Sequence, residues 1–430
     1  MKRTEAKNRY AVIVIGGGHA GCEAALSSAR NGAETLLISI NMDSIALMPF
    51  GGTVGGPGKG QLVKEIDALG GEISRNTDKN YINIRTVDDP QDPSLKTLQV
   101  LVDRRRYFLS MKKVLENQDH LDLRQGLAVG VERNRKGFEL YTSDETVYSC
   151  SSLVVCTGTS LRGKLFWGRN LIEAGRHGEI CSKRLPLSLE NMGFKFGRTR
   201  SYAAPLIDRK TIDFSNLEKQ PFDNRPGMFS RNKSFDERAQ LNSYSAYIGK
   251  ACISYILKNV KKKELCCEYT GKEEIGNGSS IEKRVLKIKG KESFKVFIQP
   301  VGRDTNEMYL QGLETMLAEE IQEKMIKKIR GLESIEITRP GYAVEYDYLL
   351  PFQIECNLEG RIEKNIFFAG QINGSGGYEG AAAQGMIAGI SAARKSANLD
   401  SISIGRKDGP IGVHIRDLVA GGVKHRQLKP

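Results

Sequence analysis

The chain has 430 residues, room for two or three domains at roughly 100–200 residues each. Its 40% hydrophobic and 27% charged residues exclude a disordered or fibrous chain, and no apolar stretch approaches the ~20 residues that span a bilayer. The 64 Lys plus Arg exceed the 51 Asp plus Glu by 13, a charge that favours polyanions such as RNA but does not separate RNA binding from solubility.

The charged N-terminus runs into Ala11–Ile15, too short for a signal-peptide core and ending in glycines, so a soluble cytoplasmic protein is expected. Ala11–Ile15 is a β-branched run that reads as a buried parallel strand. Gly16-Gly17-Gly18-His19-Ala20-Gly21 follows, and Cys22–Leu26 then opens a helix, which places GxGxxG in its required strand–turn–helix context. Gly16 serves the tight turn, Gly18 lets a pyrophosphate approach the backbone, and Gly21 lets helix and strand pack closely. His19 occupies a variable position of the loop and is not assigned chemistry. Thr35–Ile40 completes a βαβ unit. The acidic residue that holds a ribose in such units is missing; Ser39 and Asn41 stand in its place and can bond a hydroxyl. Lys59, between Gly58 and Gly60, suits either a phosphate contact or a solvated loop.

Further along, Leu153–Thr159 is a strand running into the Thr157-Gly158 turn. Trp167, the single tryptophan, reads as core or domain-contact packing, and Arg303 with Asp304 as an internal ion pair. Asn365–Gly370 is another strand, leading through Gln371–Gly380 into the small-residue helix Ala381–Ala393. That helix presents a second N-terminal donor array for an anion or a flavin ring, or is buried for packing alone. The segment adds Gly370, Gln371, Asn373, Gly377 and Tyr378 as candidate cofactor contacts, with Glu379 beside them. The eight cysteines include no CxxC pair and no zinc spacing, so reduced thiols and no metal site are expected.

These residues carry a resemblance. GGGHAGCEAA (16–25), KGQLVKEIDALGG (59–71), GRDTNEMYLQGL (302–313), RPGYAVEYDY (339–348), AGQINGSGGYEGAAAQGMIAGI (369–390) and IGVHIRDLV (411–419) are collinear with the MnmG (GidA) flavoproteins. The chain resembles that family, which modifies the wobble uridine of tRNA. The resemblance implies FAD, NADH and methylenetetrahydrofolate as cofactors, tRNA as substrate, a GTPase partner like MnmE, and a homodimer. It implies an α/β fold: a Rossmann-type, glutathione-reductase-like FAD-binding domain (8–205 and 335–405) interrupted by an α+β insert (206–334). Residues 406–430 are then a tail toward a helical domain absent from this chain. Family members install an aminomethyl or carboxymethylaminomethyl group at C5 of uridine, and the cousin family TrmFO methylates that carbon. C5 is a poor nucleophile, so such chemistry usually needs a thiolate at C6.

The departures fall on that chemistry. The family's Ser-Cys-Asn-Pro-Ala-Ile-Gly-Gly is Pro49–Gly56 here, with Phe50 in place of the cysteine. Its second cysteine, in Arg-Tyr-Cys-Pro-Ser-Ile-Glu, meets Asn277–Glu282, again without a thiol. Arg-Ala-Gln-Ala-Asp becomes Gln99–Asp103, and Lys-Thr-Gly-Thr-Pro-Pro-Arg becomes Arg200–Leu206. Three readings stand: an MnmG-like protein of tRNA modification or a paralogue of it; a flavin oxidoreductase or folate-dependent methyltransferase with a changed substrate; and a non-catalytic flavin- or RNA-binding scaffold. If the nucleophile has moved, Cys252, Cys266 and Cys267 are the candidates. Cys252 lies in an apolar stretch, whereas Cys266 and Cys267 follow Lys261–Lys263, which would depress a nearby thiol.

Overall fold

The computed structural model describes residues 8–89, 96–176, 178–224, 227–231, 238–260, 280–287 and 293–421. Its centre is a seven-stranded sheet. Arg9–Ile15 pairs in parallel with Thr35–Ser39 on one side and Val147–Val155 on the other, and Leu121–Gln125 extends the parallel edge. Val12, Ile13 and Val14 have no solvent exposure, the environment a β-branched parallel strand requires. Val147–Val155 is the organising strand. Its first half takes an antiparallel hairpin, Ala128–Asn134 and Gly137–Thr142, while its second half takes Ile366–Phe368 in parallel. A segment more than 200 residues downstream thus returns to the far side of the strand that pairs with Arg9–Ile15, bringing both glycine-rich turns to one end of the sheet.

Helix His19–Arg30 covers one face of this sheet and lies against helix Tyr378–Ser396. The crossing is backbone-close: a Cβ at Gly385 would overlap the Ala20 carbonyl, and one at Gly389 the Ala24 carbonyl. Ser27 and Ser28 hydroxyls donate across it to the Met386 and Gly389 carbonyls at 3.2 and 3.0 Å. Small residues on this helix therefore serve packing as well as its N-terminus.

Three antiparallel sheets complete the molecule: Thr53–Gly55, Tyr81–Asp88 and Lys96–Val102; Lys164–Trp167, Asn170–Ile172, Phe196–Ala203 and Tyr342–Leu349; and a six-stranded sheet in the insert. The insert sheet closes a second apolar core around Ile207, Ile256, Ile298, Leu310 and Met325. It also takes in Ile337–Arg339, which pairs with Leu206–Asp208, so residues past the expected boundary at 334 belong to its hydrogen-bond ladder. Trp167 packs half-buried against Leu165 and Tyr342.

Within the stretch from 406, expected as a tail toward a further helical domain, helix Pro410–Gly421 buries Ile411, Ile415 and Leu418 in the main core, and the Ile411 amide donates to Glu65 at 2.8 Å. One expectation is corrected. Arg303 and Asp304 do not pair with each other. Asp304 sits 2.9 Å from Arg106, while the Arg303 guanidinium donates to the Ala239 and Tyr81 carbonyls. No described helix is long and apolar enough to cross a membrane.

Candidate functional site

A cleft of about 580 Å³ opens where the two glycine turns meet, within the size range of small-molecule sites. Gly16 turns at φ +106° against the Cys156 carbonyl, a conformation and a proximity that leave no place for a side chain. A Cβ at Gly21 would overlap the Gly16 carbonyl oxygen, so helix and turn touch directly. Gly18 differs from both: a Cβ there would meet no protein atom within 4 Å, and the space it faces is the cleft. Gly18 is also the N-cap of helix His19–Arg30 and offers no side-chain cap, so the amides of the first turn are left for a ligand. Helix Tyr378–Ser396 starts the same way, from Gly377 without a side-chain cap, on the cleft wall. Thr157 Oγ1 is buried in that wall without a partner. An open glycine, two uncapped helix starts and an orphaned hydroxyl together fit a dinucleotide pyrophosphate.

The candidate cofactor residues divide. Gly16, Gly18, Thr157, Gly158, Gln371, Gly377 and Tyr378 line the cleft. Gly21 supports it from behind. Asn41 does not line it: its Oδ1 accepts from the Asp43 amide at 2.8 Å and caps the turn Met42–Ser44, leaving Ser39 as the polar side chain at the end of the second strand. Asn373 is also drawn away, donating to Phe368 O at 2.7 Å and to Gln384 Oε1 at 2.9 Å. Gly370 accommodates φ +85° beside Ala20, and its amide likewise donates to Gln384.

Tyr378 holds the wall opposite the glycine loop. Its hydroxyl accepts from the Phe50 amide at 3.0 Å and donates to the Gly51 carbonyl at 3.1 Å, fixing the turn that carries Phe50 into the cleft. The buried Glu379 accepts from the Gly55 amide at 2.7 Å, and Lys59 Nζ stands 3.8 Å from its other oxygen, so Lys59 is a cleft residue paired to that carboxylate. His19 packs 4.6 Å from the Tyr378 ring, and its buried Nε2 has no partner. Burial, with the Arg176 guanidinium adding to it, lowers His19 to about 3, so the ring is neutral at pH 7. The insert contributes Arg284, Lys295 and Phe297 to the same cleft, and Ser201 accepts from Gln371 at 2.9 Å. Sequence reasoning did not find these. They lie on separate strands and turns that only the antiparallel sheets bring together, and no local spacing marks them.

The nucleophile candidates fare differently. Cys252 is removed from the cleft: it is fully buried in the insert core, its thiol donates to the Met325 carbonyl, and burial pushes it up to about 12. Cys266 and Cys267 lie outside the described residues, as does Gly278 at the second inherited cysteine position. Cys156 lines the cleft, but burial raises its pKa far above the thiolate range. Phe50 is half-buried on the wall where the resemblance places a thiol. Among the described residues, no group of three or more His, Cys, Asp or Glu side chains could hold a metal ion.

Comparison with known proteins places this geometry among relatives. A profile of the family described as Glucose inhibited division protein A matches residues 11–400. The tRNA uridine 5-carboxymethylaminomethyl modification enzyme MnmG of Ligilactobacillus salivarius is 40% identical over 432 residues, covering 98% of this chain and 67% of its own. The enzyme of that name from Heliobacterium modesticaldum is 42% identical over 421 residues, covering 96% and 65%. A crystal structure of Aquifex aeolicus GidA superposes with a TM-score of 0.90 at 35% identity, over 96% of this chain and 68% of that one. The chain spans about two thirds of the length of the curated relatives it matches.

Proposed function

The chain belongs to the Glucose inhibited division protein A family, and from that premise we propose that it binds FAD in the cleft and serves uridine modification in tRNA. The observation that carries the reading is Gly18: a helix N-terminus without a side-chain cap, facing open space at the head of a glycine turn. In this reading the first-turn amides and Thr157 hold the pyrophosphate, Ser39 faces the ribose, and Gln371, Gly377 and Tyr378 line the flavin ring's end. FAD supplies hydride or one-carbon chemistry when bound. The protein's part is to place a uracil ring against it and to exclude water. NADH, methylenetetrahydrofolate, a GTPase partner and a second copy of the chain belong to the same proposal, as the family resemblance implies them.

Phe50 favours a second reading beside it. A thiolate adding to C6 activates C5 of uracil, and at this position the chain offers an aromatic ring that forms no such bond. Flavin binding with non-covalent handling of the substrate is then what the site performs. One experiment separates the outcomes: a visible absorption spectrum of the purified protein followed by anaerobic NADH titration. Yellow protein that bleaches is the expected result and identifies a working flavoenzyme. Yellow protein that NADH leaves oxidised supports the scaffold. Colourless protein that takes up no added FAD contradicts both readings.

A further inference from the structure

A second chamber, of about 700 Å³, adjoins the cleft and shares Leu47, Pro49, Arg176 and Glu179 with its wall. Its acidic side chains are engaged. Asp103 accepts from the Arg106 and Arg303 amides at 3.0 and 2.9 Å; Asp304 stands 2.9 Å from Arg106, Glu307 2.8 Å from Arg339, Glu179 2.7 Å from Arg176, and Asp43 3.2 Å from Lys112. Arg104 and Arg105 remain: two arginines on the wall that form no ion pair within contact distance among the described residues, the carboxylate that acts on Arg104, Glu307, being bound to Arg339.

Arg104 is the better placed of the two. Its Cζ lies over the Tyr309 ring, 4.5 Å from the centroid, a cation–π contact that holds the guanidinium in place. Its Nε is buried and makes no hydrogen bond. The stem is pressed under the Gly51–Gly52 turn, where a Cβ on Gly52 would stand 3.3 Å from Arg104 Cγ and one on Gly51 3.4 Å from the Tyr309 ring. That turn carries Phe50 into the cleft and is tied down by Tyr378. Arg104 therefore sits on the chamber side of the turn that walls off the cleft. A guanidinium does not shed its proton in a protein, so a largely enclosed and unpaired one is compensated by an anion brought from outside.

We infer that this chamber binds a phosphate group through Arg104, with Arg105 as the second cation, directly behind the turn that lines the cleft. Two positive charges on one chamber wall, one of them a planar donor fork, match a phosphate better than a single carboxylate. The phosphate belongs either to a free phosphomonoester or to an RNA backbone. The inference goes beyond the proposed flavin chemistry, since it holds whether or not FAD is bound.

The test titrates the full chain with uridine 5′-monophosphate and, separately, with an RNA anticodon stem-loop, each across a salt series. Arg104→Gln is expected to weaken at least one of them by roughly tenfold or more, the order of a lost charge-assisted contact. It should also lower the slope of log affinity against log salt by about one. Arg104→Lys keeps the slope and loses part of the affinity. Weakening of the mononucleotide identifies a free phosphomonoester; weakening of the RNA alone identifies the backbone. Arg105 is exposed, so Arg105→Gln reads the same slope should Arg104→Gln fail to fold. Wild-type affinities and slopes in a folded Arg104→Gln overturn the assignment, as do an unchanged slope in Arg105→Gln where that variant must decide, or no binding of either ligand by the unmodified chain.

Discussion

Glu23 shows how a single side chain ties the glycine-loop helix to its neighbour. Its buried carboxylate accepts from the Glu72 amide at 2.8 Å and the Ile73 amide at 2.7 Å, at the start of helix Ile73–Lys79. Burial nevertheless raises its pKa from 4.5 to about 7, against the opposing pull of those two amides. Between those values the folded protein binds more protons than the unfolded chain, so stability falls as pH rises from about 4.5 to about 7. The contribution is on the order of 3 kcal/mol. Asp78, raised to about 6 by burial, acts with the same sign. Glu23→Gln should therefore flatten the decline in melting temperature over this window relative to the wild type. Thermal melts at pH 5 and pH 7.5 check it, and an equal decline in both proteins would contradict the assignment.

At the scale of elements, the contact that matters most for the site is the crossing of helices His19–Arg30 and Tyr378–Ser396. Both helices begin at the cleft, so their mutual position sets the distance between the two N-termini. Gly385 meets the Ala20 carbonyl and Gly389 the Ala24 carbonyl with no room for a side chain, and the neighbours at both points include backbone, which has no flexible end to move aside. Gly385→Val is expected to destabilise the protein by about 3 kcal/mol or more, through forced separation of the helices. Denaturant unfolding measures this, and a loss below about 1 kcal/mol would mean that the crossing adapts.

For the molecule as a whole, what could be read from the sequence was local. The strand–GxGxxG–helix unit and the strand–glycine–small-residue helix near the C-terminus declare themselves by hydrophobic pattern and glycine spacing within a few tens of residues. What joins them is not local: Val147–Val155 receives Ile366–Phe368 in parallel, a pairing no window of sequence contains. The same limit applies inside the site. Ser39 and Asn41 look interchangeable by type, and only the turn Met42–Ser44 decides that Asn41 is spent as a cap. Asn373 looks like a cofactor contact until Gln384, eleven residues on, is seen to take its amide. Arg303 and Asp304 are adjacent in sequence yet reach different partners across the fold.

One measurement bears most directly on whether the cleft is a dinucleotide site: FAD titration of Gly18→Val beside the wild type, with a melting curve of each protein in the absence of flavin. A Cβ at Gly18 would meet no neighbouring protein atom within 4 Å, so the variant should melt with the wild-type chain while its FAD affinity falls by at least tenfold, the side chain standing where the phosphates approach the backbone. Undiminished FAD binding by a normally folded Gly18→Val would contradict the assignment of the glycine turn as the phosphate site.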